Sequence, residues 1–309
     1  MNWLEIVPSS MSAVASVAAA IAAIASWRAS NRANNIAESA ALATHHNSAS
    51  IAYFEESSKL TAACHHLENL STEIISTWPK QIQRFDKKDR GGIDPRPLRH
   101  VLYNGSEMLA THASVGIKSR GDGHYSLLSP LRNGMGVTNE TEYKQLLKKA
   151  DKAFSNFETV FGAPSKTKSI TSALAFRWVY YQLLNRVDAQ DWHAVWVDAW
   201  QEECFLARYV YEYQKIKPVL VASRERLKNE QKKLLLTAFP IKKNSNLSNN
   251  YEQILGVLDC LIEDCDLELM DVYKEWNFTD EQCLLVLCSM GIAHFTSQQI
   301  DKIRRQSSE

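Results

Sequence analysis

Apolar residues recur at helical rather than strand spacing along most of the chain, and the first place they do so is the most unusual. In the stretch MSAVASVAAAIAAIASW from Met11 to Trp27, Val14, Val17, Ile21 and Ile24 follow at intervals of three, four and three among alanine and serine, with no charge. That interval puts all four on one stripe of a helix. From Arg28 to about Thr77 the chain is rich in Ala, Ser, Asn and His and holds neither Gly nor Pro, while Ile36, Ile51, Phe54, Leu60, Leu67, Leu70 and Ile74 keep the helical recurrence. The pattern predicts one long helix, or two with a bend near His45 to Ser50. Trp78 and Pro79 should end it, because the residue before a proline resists the α region.

The pattern then breaks. Eight of the eleven glycines lie between Gly91 and Gly136, with Pro95, Pro97 and Pro130 among them, which predicts an irregular segment containing one short helix from Pro97 to Val115. Helical spacing resumes near Glu140, with Thr138 to Thr141 as a cap, a helix to about Phe161 and a turn from Pro164 to Lys168. An aromatic run from Ser169 to Lys217 follows and should be interrupted by Pro218. A charged amphipathic helix then continues to about Ala238, and the polar residues from Lys242 to Asn250 predict a linker. Tyr251 to Trp276 and Thr279 to Arg305 have the pattern of a helical hairpin, its second helix opened by Thr279 with Gln282 in the capping-box position. The tail after Arg305 should fray. The expected fold is therefore all-α, a long N-terminal helix followed by an irregular Gly/Pro-rich segment and a multi-helix bundle. Its four parts are an anchor or oligomerisation helix with a helical stem over 1–78, a loop-rich basic segment over 79–139, an aromatic-rich helical domain over 140–241 and a hairpin over 250–306.

Charge and cysteine content narrow the function classes. The 309 residues carry 35 Lys plus Arg against 35 Asp plus Glu, so no global field draws the chain to nucleic acid or anionic lipid. Basic residues are in excess only between Lys80 and Arg132, which makes 80–132 the one stretch where a nucleic-acid contact is expected. The six cysteines sit inside apolar helical patterns, as in a reduced, cytoplasmic compartment. Cys260/Cys265 and Cys283/Cys288 repeat a Cys-x4-Cys interval, but on a helix that interval turns the thiols about 140° apart. Neither pair is expected to hold a metal, and no motif points to a cofactor.

The leader needs a partner. Met11 to Ser26 spans about 24 Å as a helix, short of a hydrocarbon core of roughly 30 Å, and starting from Leu4 makes it long enough. Trp3 and Trp27 bracket the segment like interfacial aromatics, and Arg28 and Arg32 follow at once while Glu5 precedes it. That asymmetry leaves the body on the cytoplasmic side. In the alternative, a soluble cytoplasmic adaptor, the alanine face packs on another helix or a second copy. The expected partners are thus a protein or self through the N-terminal helix, or a membrane.

Four further constellations carry chemistry. Trp192, Trp196 and Trp200 fall at i, i+4 and i+8, on one helix face, and serve either as core or as a groove that grips a partner. Arg186 and His193 form an Arg-x6-His pair that resembles the HEPN ribonucleases, and the resemblance implies an Arg that binds the scissile phosphate and a His that moves protons. Arg99, His100, Glu107, His112 and His124 lie through the glycine-rich region, where imidazoles beside carboxylates are candidate acid/base groups. From Leu287, LCSMGIAHFTSQQI looks superficially like a helix-turn-helix with Gly291 at the turn, though its second helix lacks a basic face.

The order of parts, carried by SWRASNRANNIAES from Ser26 and more faintly by HVLYNGSEMLATHASVGI from His100, resembles a group of bacterial membrane-associated proteins linked to abortive infection by phage. It covers about a third of the chain. The resemblance implies a sensor or effector in anti-phage defence at the inner membrane, facing the cytoplasm, and carries over no catalytic residues. The expected role is that of an interaction protein rather than an enzyme.

Overall fold

The computed structural model describes residues 3–87, 96–118, 179–180, 182–202, 204–236, 246–267 and 279–308, with side chains from Ala15 onward in the first helix and as far as Ala110 in the second. The fold is all-α. Its described helices are α1 (Trp3–Ile82), α2 (Leu98–Lys118), α3 (Ala189–Trp196), α4 (Phe205–Leu236), α5 (Asn246–Asp264) and α6 (Thr279–Ser308). The expected cap at Thr138, the helix to Phe161, the turn at Pro164 and the segment to Trp276 fall outside the described residues.

α1 is one helix of 80 residues, about 120 Å long. Nothing bends it near His45, since the stretch contains no glycine or proline and alanine has the best helix propensity. It has two halves with opposite fates. Between Ala15 and Ser48 no residue is buried, whereas from Ala49 a stripe through Tyr53, Leu60, Leu67, Ile74 and Ile82 is 1 % exposed or less. The second half is therefore part of the core.

Four helix boundaries expected from the sequence are corrected. α1 runs through Pro79 to Ile82. Proline in a helix interior costs about 3 kcal/mol, but Ile74, Trp78 and Ile82 share one buried face, and ending the helix at Trp78 would strip Ile82 from it. Pro218 likewise lies inside the uninterrupted α4, exposed, between the buried Tyr213, Ile216 and Leu220. α5 begins at Asn246, in the middle of the expected linker, because Leu247 at its second position is already buried. The C-terminal tail does not fray either: α6 continues to Ser308, with the Ser307 hydroxyl 3.0 Å from Thr61 Oγ1 and Gln306 donating to Gln253 at 3.0 Å.

α6 is the axis of the body and packs against α1, α2, α3 and α5. Every residue from 282 to 296 is buried. A helix buried on all sides needs apolar or small residues all round, which CLLVLCSMGIAHF supplies. By length and composition α6 could cross a membrane, but 89 % of that window is inside the fold, so it is a core helix. Gly291 makes no turn in it. A Cβ there would stand 2.7 Å from Leu109 Cδ2, and one at Gly105 of α2 would stand 2.3 Å from Val179 Cγ1 and 3.1 Å from Leu287 Cδ1. The two glycines let α2 and α6 cross at close range.

Buried tyrosines tie the helices together. Tyr209 Oη meets the Cys265 carbonyl at 2.9 Å and Thr296 Oγ1 at 2.6 Å, Tyr213 Oη donates to the Leu261 carbonyl at 2.8 Å, and Tyr251 Oη donates to the Ala49 carbonyl at 2.8 Å. Arg226 of α4 clamps α1 through Glu56, which is 1 % exposed, and Glu55, at 2.7 Å each.

Candidate functional site

Most residues singled out in the sequence fall among the described ones and have a definite place. Trp192 and Trp196 lie on α3, but Trp200 lies on a π-helical turn, Val197–Glu202, so the three do not share one α-helical face. All three are 2 % exposed or less. Trp200 meets Trp78 edge to face at 4.7 Å between ring centroids and stacks with Trp196 at 6.1 Å. They fill the core, and the partner groove is corrected: an indole with no exposed face has nothing to offer a second protein.

Arg186 is a structural tie. Its Nε and Nη2 each donate at 2.9 Å to the two carboxylate oxygens of Asp86, and Nη2 also donates to the Arg96 carbonyl at 2.7 Å. Asp86 further accepts from the Leu98 amide at 3.1 Å and from Gln83 Nε2 at 2.8 Å, while Gln83 Oε1 accepts from the Arg99 amide at 3.0 Å. Two orphan amides at the start of α2 are thus capped by the short 3-10 turn, Gln83–Phe85, and Asp86 that follow α1. Burial raises the Asp86 carboxyl, but the bonds from Arg186, Leu98 and Gln83 outweigh it and hold it below the ordinary range. His193 stands exposed on α3. With Nε and both Nη2 protons engaged, Arg186 has no open fork left for a phosphate.

Arg99, His100 and Glu107 are exposed on α2 and not on a loop. The chain around Gly105 is helical because that glycine serves a helix crossing. His112 is also on α2, with its side chain outside the described residues, and His124 lies outside them altogether. In the basic stretch, Arg84 pairs with Asp198 and Lys87 with Asp188. Five of the six cysteines are buried and none is in a disulfide. Burial pushes the thiols of Cys64, Cys260 and Cys288 up to about 12, so they act as small apolar residues. Among the described residues no group of His, Cys, Asp and Glu could hold a metal ion.

On the leader, Val17, Ile21, Ile24 and Trp27 are 60 %, 62 %, 52 % and 64 % exposed, and the side chain of Val14 lies outside the described residues. Arg28 begins the polar stretch that follows, also exposed.

A site that the sequence did not single out lies on the body. A cleft of about 870 Å³ opens between α1, α2 and α6, with His65, Asn69 and Thr72 on one wall, Tyr103 on the second and His294, Ser297 and Gln298 on the third. His294 is 8 % exposed. Its Nε2 lies 2.9 Å from Gln298 Nε2, while Nδ1 is buried with no partner among the described residues. The Tyr103 ring meets the imidazole edge to face at 5.9 Å. Burial lowers the His294 pKa, partly offset by the carboxylate of Glu107, so the ring is neutral near pH 7. Burial and Glu107 both raise the Tyr103 phenol. The signal in the sequence was a single histidine, with glutamine four residues on, within an otherwise apolar helix.

No family model matches the chain, and neither does any curated protein or solved structure.

Proposed function

We propose that the chain is a helical interaction protein that works by presenting the projecting half of α1 to a second surface, lipid or another copy of itself. The observation that carries this reading is the exposure of Val17, Ile21, Ile24 and Trp27, all more than half open, on a helix with no buried residue between Ala15 and Ser48. Covering one aliphatic side chain of this size is worth about 1.5–3 kcal/mol. Three of them with an indole therefore offer a covering surface several kcal/mol per copy, and no charge interrupts the chain between Glu5 and Arg28.

The order of anchor, polar stem and helical body supports a setting in anti-phage defence, as a sensor or effector at the inner membrane with the body in the cytoplasm. In this reading the stem holds the body at a distance: residues 28–48 extend about 30 Å as a helix.

Fractionation with alkaline extraction, paired with light scattering on the purified chain, tests the proposal. Resistance to extraction supports the bilayer, and a defined oligomer in the soluble fraction supports self-association. A soluble monomer at all concentrations overturns both.

A further inference from the structure

The cleft between α1, α2 and α6 has the size of a ligand site, at about 870 Å³, and a lining that is mostly polar. The charges on its walls decide what kind. Arg304 Nη1 lies 3.1 Å from Glu68, its Nη2 pairs with Asp301, and Arg305 pairs with Asp301 as well. Each formal charge lining the cleft is answered from within α1 and α6. A phosphate or carboxylate finds no open guanidinium fork there, and an ammonium finds no lone carboxylate. What remains is neutral and double-natured: the hydroxyls of Thr72 and Ser297, 3.4 Å apart, the amides of Asn69 and Gln298, and the imidazoles of His65 and His294. These groups can both donate and accept. Tyr103, 36 % exposed, adds an aromatic surface for a flat face.

We propose that this cleft binds a small, uncharged, polyhydroxylated ligand of nucleoside or sugar size, held by the neutral hydroxyls, amides and imidazoles of its walls and by the Tyr103 ring. The ligand bridges α1 to α6. The site belongs to the folded body, so it stands or falls independently of what the projecting half of α1 meets.

Titration calorimetry on the full chain tests this with adenosine, guanosine, cytidine and uridine in one arm and glucose, N-acetylglucosamine and maltose in the other. AMP and spermidine serve as charged counter-probes. Saturable binding of at least one neutral probe is expected, and the responding arm identifies the source. Tyr103→Ala should weaken that binding by about tenfold, the order of one lost aromatic contact. Ser297→Trp, at a partly buried position on the cleft wall, should abolish it by filling the cleft. The proposal is overturned if no neutral probe binds at millimolar concentration, if AMP or spermidine binds more tightly than every neutral probe, or if Ser297→Trp binds like the parent.

Discussion

Arg186 grips both carboxylate oxygens of Asp86, a residue one hundred positions earlier in the chain, through two hydrogen bonds of 2.9 Å. The side chains are 8 % and 11 % exposed, so the pair is largely withdrawn from water. It joins the end of α1, the start of α2 and the segment leading into α3 at one carboxylate.

Removing one member of such a pair leaves the other charge buried and uncompensated, which costs about 3–5 kcal/mol. Asp86→Asn and Arg186→Ala should each lower stability by that order in urea denaturation. Their double variant should lose less than the sum, because the two share one interaction. The carboxyl is held below its ordinary value, so its contribution is present above about pH 4 and lost as pH falls through the folded value. Asp86→Asn should flatten the acid limb of the stability profile. An unchanged acid limb would mean that the tie is not what fails in acid.

Gly105 and Gly256 are both glycines inside helices, yet they should respond to alanine with opposite signs. At Gly105 the new Cβ meets the stiff, branched Val179 at 2.3 Å, and relieving that overlap costs about 1–3 kcal/mol. At Gly256 nothing lies within 4 Å, so alanine should gain the helix-propensity difference of about 1 kcal/mol. Thermal melts of the two single variants should move apart, Gly105→Ala down and Gly256→Ala up.

His294 should give the body a second pH dependence near neutrality. Its folded pKa is lowered by burial, with Glu107 only partly offsetting it, so the unfolded chain takes up the proton first. Stability is therefore full above the ordinary histidine value of about 6.5 and falls as pH drops from there through the folded value. His294→Gln should remove this step while keeping a polar group beside Gln298. Chemical denaturation at several pH values between neutral and mildly acidic reads it directly, and an identical profile in the variant rules the assignment out.

The helical architecture was legible in the sequence because spacing and glycine content are local signals: Val17, Ile21, Ile24 and the long glycine-free run of α1 need no tertiary information. The misreadings all came from tertiary packing overriding a local rule. Pro79 and Pro218 carry real penalties, but Ile74, Trp78 and Ile82 on α1, and Tyr213 and Leu220 on α4, bury enough apolar surface to carry the helices through. Gly291 looked like a turn because sequence cannot show Leu109 pressed against it. Arg186 was paired with His193 by proximity along the chain, while its real partner lay a hundred residues away. The cleft was out of reach for the same reason: Thr72 and Ser297 face each other across 225 positions, and no spacing rule spans that distance.

In the proposed function the projecting half of α1 serves assembly and not the stability of the body, and substitutions there should separate the two. Ile21 and Ile24 are 62 % and 52 % exposed and lie outside the core, so replacing both with Asp should leave urea denaturation of the body within about 0.5 kcal/mol of the parent. A carboxylate at a bilayer centre costs about 2.5–3.5 kcal/mol per residue, and in a helix–helix seam it leaves a buried charge unpaired. The double variant should therefore appear as a soluble monomer, whichever surface the parent uses. Replacing both with Leu conserves the apolar stripe and should keep the parent's behaviour. A parent and an Asp variant that sediment alike, both in oligomers or both in membranes, would place the contact elsewhere on the chain and remove the role given to this stripe.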